Sequence, residues 1–232
     1  METSGKVERL SFFPAEPIVR SNTPKIDWYR DVFKRVFDLL FALILFPIVF
    51  PLILILMVLV KIDSKGPAIY RSLRIGRNGK KFNCLKLRTM HLNAEEKLED
   101  LLREREELRQ EYEKYCKLKK DPRVTRVGRF LRATSLDEIP QLFNIFSGEM
   151  SFVGPRPAFE KEIEKYYGPN SSKYLKVRPG ITGLWQVNGR NDTSFENRVA
   201  LDCDYSQRVS LSQDLAIIIK TIPTALSTKG AY

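Results

Sequence analysis

The longest apolar run in the chain covers residues 39–60, 22 positions without a charged side chain. A straight helix of this length would measure about 33 Å, close to the roughly 30 Å hydrocarbon core of a bilayer. Pro47 and Pro51 lie near its middle, where each removes a backbone donor and favours a bend or break. The pattern therefore predicts a membrane helix that is broken at one of these two prolines.

Basic residues flank the apolar run on both sides, three within residues 30–35 and five within residues 61–77. Loops rich in Lys and Arg favour the cytoplasmic side of a membrane. A helix that enters and leaves by the same face keeps both flanks on that side. We interpret the run as a re-entrant anchor with the rest of the chain cytoplasmic; a single span with a tolerated proline kink is the alternative.

Three shorter elements follow from the pattern of the remaining chain. Residues 68–76 and 80–88 have strand character on either side of an Asn-Gly turn and predict a β-hairpin. Residues 92–116 combine leucines at helical spacing with many acid–base pairs, which predicts one charged helix facing solvent or a partner. Residues 211–226 predict a helix that lies either at the membrane interface or against the domain core.

These elements divide the chain into three parts. Residues 1–26 mix Pro, Ser, Glu and Lys with scattered apolar positions and predict a flexible cytoplasmic arm. We assign residues 27–62 to the re-entrant helix and residues 63–232 to a catalytic domain on the cytoplasmic face, into which the charged helix is inserted. The expected fold class is α+β and mostly helical, with a small β-hairpin and interfacial helices.

Composition narrows the expected chemistry. A formal net charge of +11 favours polyanionic partners, and the bilayer-length run favours lipid and phosphate over nucleic acid. Three scattered cysteines predict no disulfide framework. Because His91 is the single histidine, any Ser-His or Cys-His mechanism would depend on it. We therefore expect the chemistry to use carboxylates, lysines, arginines and hydroxyls.

A helix start is predicted within residues 134–157, where polar residues concentrate. Ser135 and Glu138 match a capping box, but Ser135 as N-cap would place Pro140 inside the helix, where it forfeits a hydrogen bond. With Asp137 as N-cap, Pro140 is the third helical residue, where no N–H is needed. We therefore expect Asp137 at the start of the helix.

The same stretch carries candidate phosphate chemistry. A carboxylate such as Asp137 that attacks a phosphate meets like-charge repulsion, which a divalent cation and arginines must neutralise. Glu138 is a candidate ligand for Mg²⁺, an ion held by one or two carboxylates plus substrate phosphates. Arg132 and Arg156 are candidate phosphate clamps. The alternative is that the two carboxylates only cap a helix.

From about Lys34 to its C-terminus the chain resembles the bacterial monotopic phosphoglycosyl transferases, also called the bacterial sugar transferase family. The matching blocks are KRVFD, DSKGPAIYRSLRIGRNGKKFNCLKLRTM, DPRVTRVGRFLRATSLDEIPQLFNIFSGEMSFVGPRP, VRPGITGLWQVNGR, and SFENRVALDCDY with TKGAY in the tail. Larger members carry extra membrane helices upstream, so we expect the catalytic domain alone here.

The resemblance implies transfer of a sugar-1-phosphate from a UDP-sugar to undecaprenyl phosphate at the bacterial inner membrane. The expected sugar is galactose, with glucose and N-acetylated sugars as alternatives. Asp137 would attack the β-phosphate, release UMP and carry a covalent sugar-phosphate, and Glu138 would bind Mg²⁺. This reaction would be the first membrane step of O-antigen, lipopolysaccharide or exopolysaccharide synthesis.

The resemblance also implies roles for further positions in the matching blocks. Substrate or phosphate binding would involve Arg132, Arg156, Lys86, Arg88, Arg178 and Asp202. Pro47 or Pro51 would form the membrane bend. We expect no nucleic-acid partner, and a homodimer is one assembly open to the protein. Two other classes of function stay open, a non-catalytic membrane-anchored basic binding module and a scaffold that displays the charged helix.

Overall fold

The computed structural model describes residues 27–115, 118, 121–189 and 194–226, so the predicted arm of residues 1–26 lies outside the described residues. Along the described chain the helices and strands are α1 (Lys34–Asp63), β1 (Ile69–Ile75), β2 (Lys81–Leu87), α2 (Ala94–Glu104), α3 (Glu106–Tyr115), α4 (Arg126–Thr134), α5 (Gln141–Phe146), β3 (Ser151–Val153), α6 (Glu160–Glu162), α7 (Ser171–Tyr174), β4 (Gly180–Thr182), α8 (Leu184–Val187), α9 (Phe195–Gln207) and α10 (Leu211–Leu226). The predicted mostly helical fold with a small β content is confirmed.

Helix α1 contains the predicted membrane segment. Together with the π-helical turn before it, it forms the one helix among the described residues, Tyr29–Asp63, that is long and apolar enough to cross a membrane. Helical conformation is continuous through Pro47 and Pro51. The bend that we expected at one of these prolines therefore stays a prediction.

Both ends of α1 contact the same domain. Near its start, the Arg35 guanidinium donates to the backbone carbonyls of Ile145 and Phe146, at the end of α5. At its last residue, the Asp63 carboxylate accepts from the backbone N–H of Val127 at 2.9 Å. A helix of thirty residues is about 45 Å long, so the domain lies along it from end to end.

The side of α1 that faces the domain is buried, and the opposite side is an exposed apolar surface. Buried positions recur at helical spacing and include Ala42, Ile53, Leu56 and Val60. The exposed apolar positions are Val36, Leu39, Leu40, Leu43, Ile44, Ile48, Phe50, Leu54, Ile55, Val58, Leu59 and Ile62. Because the helix is apolar all round but covered by protein on one side only, the other side needs an apolar environment.

The predicted β-hairpin is confirmed. Strands β1 and β2 pair antiparallel, with Ile75 opposite Lys81 and Ile69 opposite Leu87. At the turn Asn78 has a φ of 59° and Gly79 a φ of 74°, the positive values that this dipeptide accepts most readily. The hairpin packs its Phe82 and Cys84 face against α1 and α5.

The charged segment differs from its prediction. Instead of one helix over residues 92–116, α2 and α3 are separate, because Arg105 between them has an extended backbone with φ −129° and ψ 101°. Glu106 and Glu107 follow the break, and acidic residues favour the start of a new helix. Every residue of α2 is at least partly exposed.

A second two-stranded sheet was not predicted. Strands β3 and β4 are parallel, with Ser151 opposite Gly180. The chain segments meet here so closely that a Cβ on Gly180 would lie 2.1 Å from the backbone nitrogen of Gly154. Glycine is thus required at this contact, which holds the Gly-Pro-Arg-Pro loop (residues 154–157) against β4.

Helix α10 packs against the domain core, one of the two positions that the sequence left open, and its place at the membrane interface stays a prediction. Asp214 and Ile217 are buried against the domain. On the opposite side it exposes a line of apolar residues, Leu211, Leu215, Ile219 and Ile222. The helix is therefore part of the core on one side and presents a second apolar surface on the other.

Candidate active site

Asp137 lies in a tight turn between α4 and α5. Thr125 caps the start of α4, since its hydroxyl accepts from the Gly128 N–H at 2.9 Å, and Ser135, directly after the helix, has a left-handed φ of 57°. A single 3₁₀ turn, Leu136–Glu138, follows. The prediction of Asp137 as a helix N-cap is wrong, since α5 begins at Gln141 after Pro140.

Asp137 is not an N-cap because only a short segment of the chain connects α4 to α5, and that segment forms a turn of its own. The left-handed Ser135 stops α4, and the Glu138 N–H then bonds to the Ser135 carbonyl to close the 3₁₀ turn. Pro140, which has no N–H to place, precedes the first residue of α5. Asp137 is therefore held in a turn fixed by a helix at each end.

The charged state of Asp137 is disfavoured by its surroundings. Burial is the main cause that raises its pKa from 3.8 to about 6, and the neighbouring charge of Glu138 adds to it. Lys86 and Arg132 act in the opposite direction. At neutral pH the carboxylate is still mostly ionised, but it is more basic and less stabilised than an ordinary aspartate, as is typical of functional carboxylates.

Glu138 faces two cations from other parts of the chain. The Lys86 ammonium, on β2, donates to Glu138 Oε1 at 2.6 Å, and an Arg156 nitrogen lies 4.0 Å from the same oxygen. The Arg132 guanidinium donates to the Thr89 hydroxyl at 2.9 Å. Burial lowers the pKa of Arg132, and the charge of Asp137 opposes that effect.

The structure therefore gathers five of the eight predicted catalytic and binding residues in one place. They are Asp137, Glu138, Lys86, Arg132 and Arg156. They come from β2, α4, the 3₁₀ turn and the Gly-Pro-Arg-Pro loop, which are far apart in sequence. Three cations around two adjacent carboxylates form a site with an excess of positive charge, suited to a phosphate.

The other three predicted residues contact protein groups outside this site. Arg88 donates to the Ser64 and Lys65 carbonyls and fixes the turn after α1. Arg178 donates to the Gly148 carbonyl at 2.9 Å. A substrate contact by these residues stays a prediction.

Asp202 lies behind the site and is only 1% exposed. It accepts a hydrogen bond from the Tyr167 hydroxyl at 2.6 Å, and burial raises its pKa to about 6. The backbone N–H and the charge of Arg156 act against this rise. Asp202 thus supports the loop that carries Arg156, and a direct role in substrate binding stays a prediction.

A cleft of about 250 Å³ opens beside Glu138. Sequence reasoning named Lys86, Glu138 and Arg156 among the residues that line it but missed the rest, which are Arg74, Cys84, Gln141, Pro157, Ile181 and Gln186. Cys84 is buried, which raises the pKa of its thiol to about 11 and makes it unreactive.

Arg74 is the missed residue with the strongest electrostatic signature. Its guanidinium donates to the Ser72 hydroxyl and the Pro157 carbonyl and lies 3.2 Å from the centre of the Phe159 ring. Burial and the charge of Arg156 lower its pKa. Alternation along the hairpin was the available signal, since Arg74 shares a strand face with Ser72, and Ser72 pairs with Cys84, two positions from Lys86.

The side chains around Asp137 can be compared with the ligands that the predicted Mg²⁺ would need. Within the described residues, no group of three His, Cys, Asp or Glu side chains is close enough to hold a metal alone. Mg²⁺ is usually held by one or two carboxylates together with substrate phosphates and water. Glu138 beside Asp137 fits that kind of shared site, in which the substrate completes the coordination.

Sequence similarity to known proteins extends over most of the chain. The family described as bacterial sugar transferase matches residues 29–228. The UDP-galactose-lipid carrier transferase of Erwinia amylovora is 52% identical over 167 residues, 72% of this chain and 35% of that protein. The undecaprenyl-phosphate galactose phosphotransferase of Salmonella typhimurium is 51% identical, with the same coverage.

The exopolysaccharide production protein ExoY of Rhizobium meliloti is 50% identical over 174 residues, 75% of this chain and 76% of ExoY. The chain thus spans about a third of the first two relatives and about three quarters of ExoY. The match covers α1, the hairpin and every residue gathered at the site. The chain therefore belongs to the bacterial sugar transferase family.

Proposed function

We propose that this protein transfers galactose-1-phosphate from UDP-galactose to undecaprenyl phosphate and releases UMP. The observation that carries the proposal is the desolvated Asp137 carboxylate beside Lys86 and Arg132, with Arg156 4.0 Å from the adjacent Glu138. Two relatives are named for galactose transfer to a lipid carrier, which supports the choice of sugar and acceptor.

The proposed reaction has two displacement steps at phosphorus. An Asp137 carboxylate oxygen attacks the β-phosphorus of the UDP-sugar, and the bond between that phosphorus and the bridging oxygen breaks, so that UMP leaves with the electron pair. An oxygen of undecaprenyl phosphate then attacks the same phosphorus, and the bond to Asp137 breaks. This second step restores the carboxylate and gives a polyprenyl diphosphate sugar.

The surrounding cations account for the lowered barrier. A carboxylate approaching a diphosphate is repelled, and Lys86, Arg132 and Arg156 offset that repulsion in a partly desolvated site. Arg74 adds a fourth cation on the wall of the same cleft. When bound beside Glu138, Mg²⁺ would supply two further positive charges at the substrate phosphates.

The position of the site relative to α1 supports a membrane-bound, cytoplasmic-face enzyme. Leu136 and Ile139, on either side of Asp137 and Glu138, pack against the cluster that contains Leu56 and Val60 of α1. The turn that carries the nucleophile therefore packs directly against the apolar helix. Such a site lies near the headgroup plane, where a soluble nucleotide sugar and a lipid phosphate can meet.

The contacts of α1 favour a monotopic anchor over a spanning helix. Arg35 and Asp63, near opposite ends of the helix, both bind the same domain. In a helix that crossed the bilayer, these two contacts would lie on opposite sides of the membrane. We therefore propose that α1 enters the cytoplasmic leaflet with its exposed side in lipid, and that the exposed face of α10 lies at the interface.

Intact-mass measurement of purified protein tests the covalent intermediate. After incubation with UDP-galactose alone, we expect the mass of one hexose phosphate to be added, together with release of UMP. Neither should occur in Asp137→Asn, whereas the control Asp204→Asn, changed at a partly exposed aspartate of α9, should behave like the wild type. Product formation without any adduct in a rapid-quench time course would contradict the proposed intermediate.

A further inference from the structure

Two glutamine side chains in the cleft are not used by the proposed chemistry. Gln141, the first residue of α5, and Gln186, in α8, line the same cleft as Glu138 and Arg156. Gln141 is 2% exposed. The amide oxygens of both glutamines are buried and accept no hydrogen bond from the described residues.

Such oxygens are unusual, because about nine in ten buried polar groups in folded proteins have a hydrogen-bond partner. Leaving one unpaired costs roughly 1–3 kcal/mol. Two of them on the wall of one cleft indicate that the cleft is built for a group that donates hydrogen bonds. A phosphate cannot serve, since its ionised oxygens only accept.

The position of each glutamine is fixed by the same segments that hold the charged residues. Gln141 is three residues after Glu138, as the first residue of the helix that follows the turn of the nucleophile. Gln186 follows Trp185, whose ring centre lies 5.6 Å from the Arg156 guanidinium carbon. Helix α8 starts after Gly183, where a Cβ would lie 2.1 Å from the Gly154 carbonyl oxygen, so α8 is held tightly against the loop of Arg156.

On the proposed function, the donors next to the diphosphate of a nucleotide sugar are hydroxyl groups. We propose that Gln141 and Gln186 form a neutral acceptor subsite that binds a hydroxyl of the substrate, either of the hexose or of the ribose. Arg74, Lys86 and Arg156 take the diphosphate in the cationic part of the cleft.

Methionine variants test this subsite, because methionine is close to glutamine in length and volume but cannot accept such a bond. We expect Gln141→Met and Gln186→Met each to raise the KM for UDP-galactose about tenfold with a smaller change in kcat. The matched control is Gln213→Met. Its amide oxygen is also buried without a partner among the described residues, but it lies on α10, outside the cleft.

Deoxy analogues separate the two sources of the hydroxyl. UDP-sugars lacking one hexose hydroxyl form one series, and analogues lacking the 2′ or 3′ hydroxyl of the ribose form the other. The hydroxyl that is bound is the one whose loss weakens the wild type about tenfold but does not weaken the corresponding methionine variant further. If every deoxy substrate has the same penalty in the wild type and in both variants, the proposal is wrong.

Equilibrium binding of UDP-galactose, measured in the Asp137→Asn background, separates this inference from the proposed function. If UDP-galactose binds but the wild type releases no UMP, the proposed function fails, and the subsite is judged from the affinities of the methionine variants. If the wild type turns over and both methionine variants match it in KM and affinity, the subsite is wrong and the function stands. If the protein neither binds nor turns over UDP-galactose or another UDP-sugar, both proposals are wrong. If Gln141→Met does not fold, Gln186→Met on its separate helix decides the outcome alone.

Discussion

Two carboxylates removed from solvent show opposite arrangements in this protein. Asp214, in α10, is fully buried and completely paired, since it accepts from Lys34 and from the hydroxyls of Tyr29 and Tyr205, the latter two at 2.7 Å. Asp137 has cations near it, but its pKa is raised to about 6 by burial and by Glu138. The Asp214 carboxylate is thus completely matched, because protein groups balance its charge. The Asp137 carboxylate is incompletely matched, because its charge is only partly balanced.

The difference separates a structural role from a functional one. The Asp214 group joins the start of α1 to α9 and α10, and its partners leave it nothing further to bind. The Asp137 group holds cations in excess of what its carboxylates need and a nucleophile whose charge is poorly stabilised. A substrate diphosphate, with its negative charge, would complete the second group but would add nothing to the first.

The largest expected effect comes from neutralising the incompletely matched carboxylate. Asp137→Asn should lower the rate of UMP release at least about 10³-fold, because the amide cannot form the intermediate. Its apparent melting temperature at pH 7.5 should equal or exceed that of the wild type, since a disfavoured charge is removed. Activity assays and thermal unfolding of the same preparation check both parts, and a large loss of stability would show that Asp137 is structural.

Replacing Asp214, the completely matched carboxylate, should lower the stability of the protein, which the Asp137 replacement should not. Asp214→Asn leaves the buried Lys34 cation without its counter-charge, which costs about 3–5 kcal/mol of folding free energy. For a chain of this size that corresponds to a drop of about 6–20 °C in the apparent unfolding midpoint at a fixed scan rate. The double variant Lys34→Met with Asp214→Asn should recover part of the loss. Equal midpoints for the wild type and Asp214→Asn would remove the distinction between the two sites.

The Asp137 half of this comparison, and part of the fold, were within reach of the sequence. The apolar run, the Asn-Gly hairpin and the cluster of candidate residues around Asp137 each rest on local patterns, and the structure has all three. The second sheet was missed because its strands have three residues each and depend on a glycine contact between distant loops. The local pattern also gave the wrong helix start at Asp137, because nothing in it marks Ser135 as left-handed.

The candidate site, like the fold, could be predicted from the sequence only in part. Arg132 and Arg156 could be named from the phosphate chemistry expected around Asp137, and Lys86 because it stands in a motif that resembles a family. Arg74, Gln141 and Gln186 carry signals that only packing reveals, namely a desolvated guanidinium and unpaired amide oxygens. The Asp214 group was missed entirely, since its partners Tyr29 and Lys34 lie about 180 residues away in the chain.

The smallest expected effect is the pH dependence of the incompletely matched site. Because the raised pKa of Asp137 is about 6, the reactive carboxylate is mostly protonated below that pH and mostly ionised above it. Single-turnover UMP release should therefore rise about tenfold between pH 5 and pH 7 and then level off. Protonation favours the folded state in this range, so the Asp137 contribution to stability increases as the pH falls from 7 towards 4, opposite to the rate.

Asp202 provides the control for this profile, because burial raises its pKa to about 6 as well. The variant Asp202→Asn should keep the rise in rate between pH 5 and pH 7, whatever its effect on the overall rate through the loop of Arg156. A profile that becomes flat in Asp202→Asn would assign the titration to the buried support instead of the nucleophile. If the rise persists there, Asp202 is not the titrating group and the assignment to Asp137 stands, so the contrast with the completely matched Asp214 group extends from structure to kinetics.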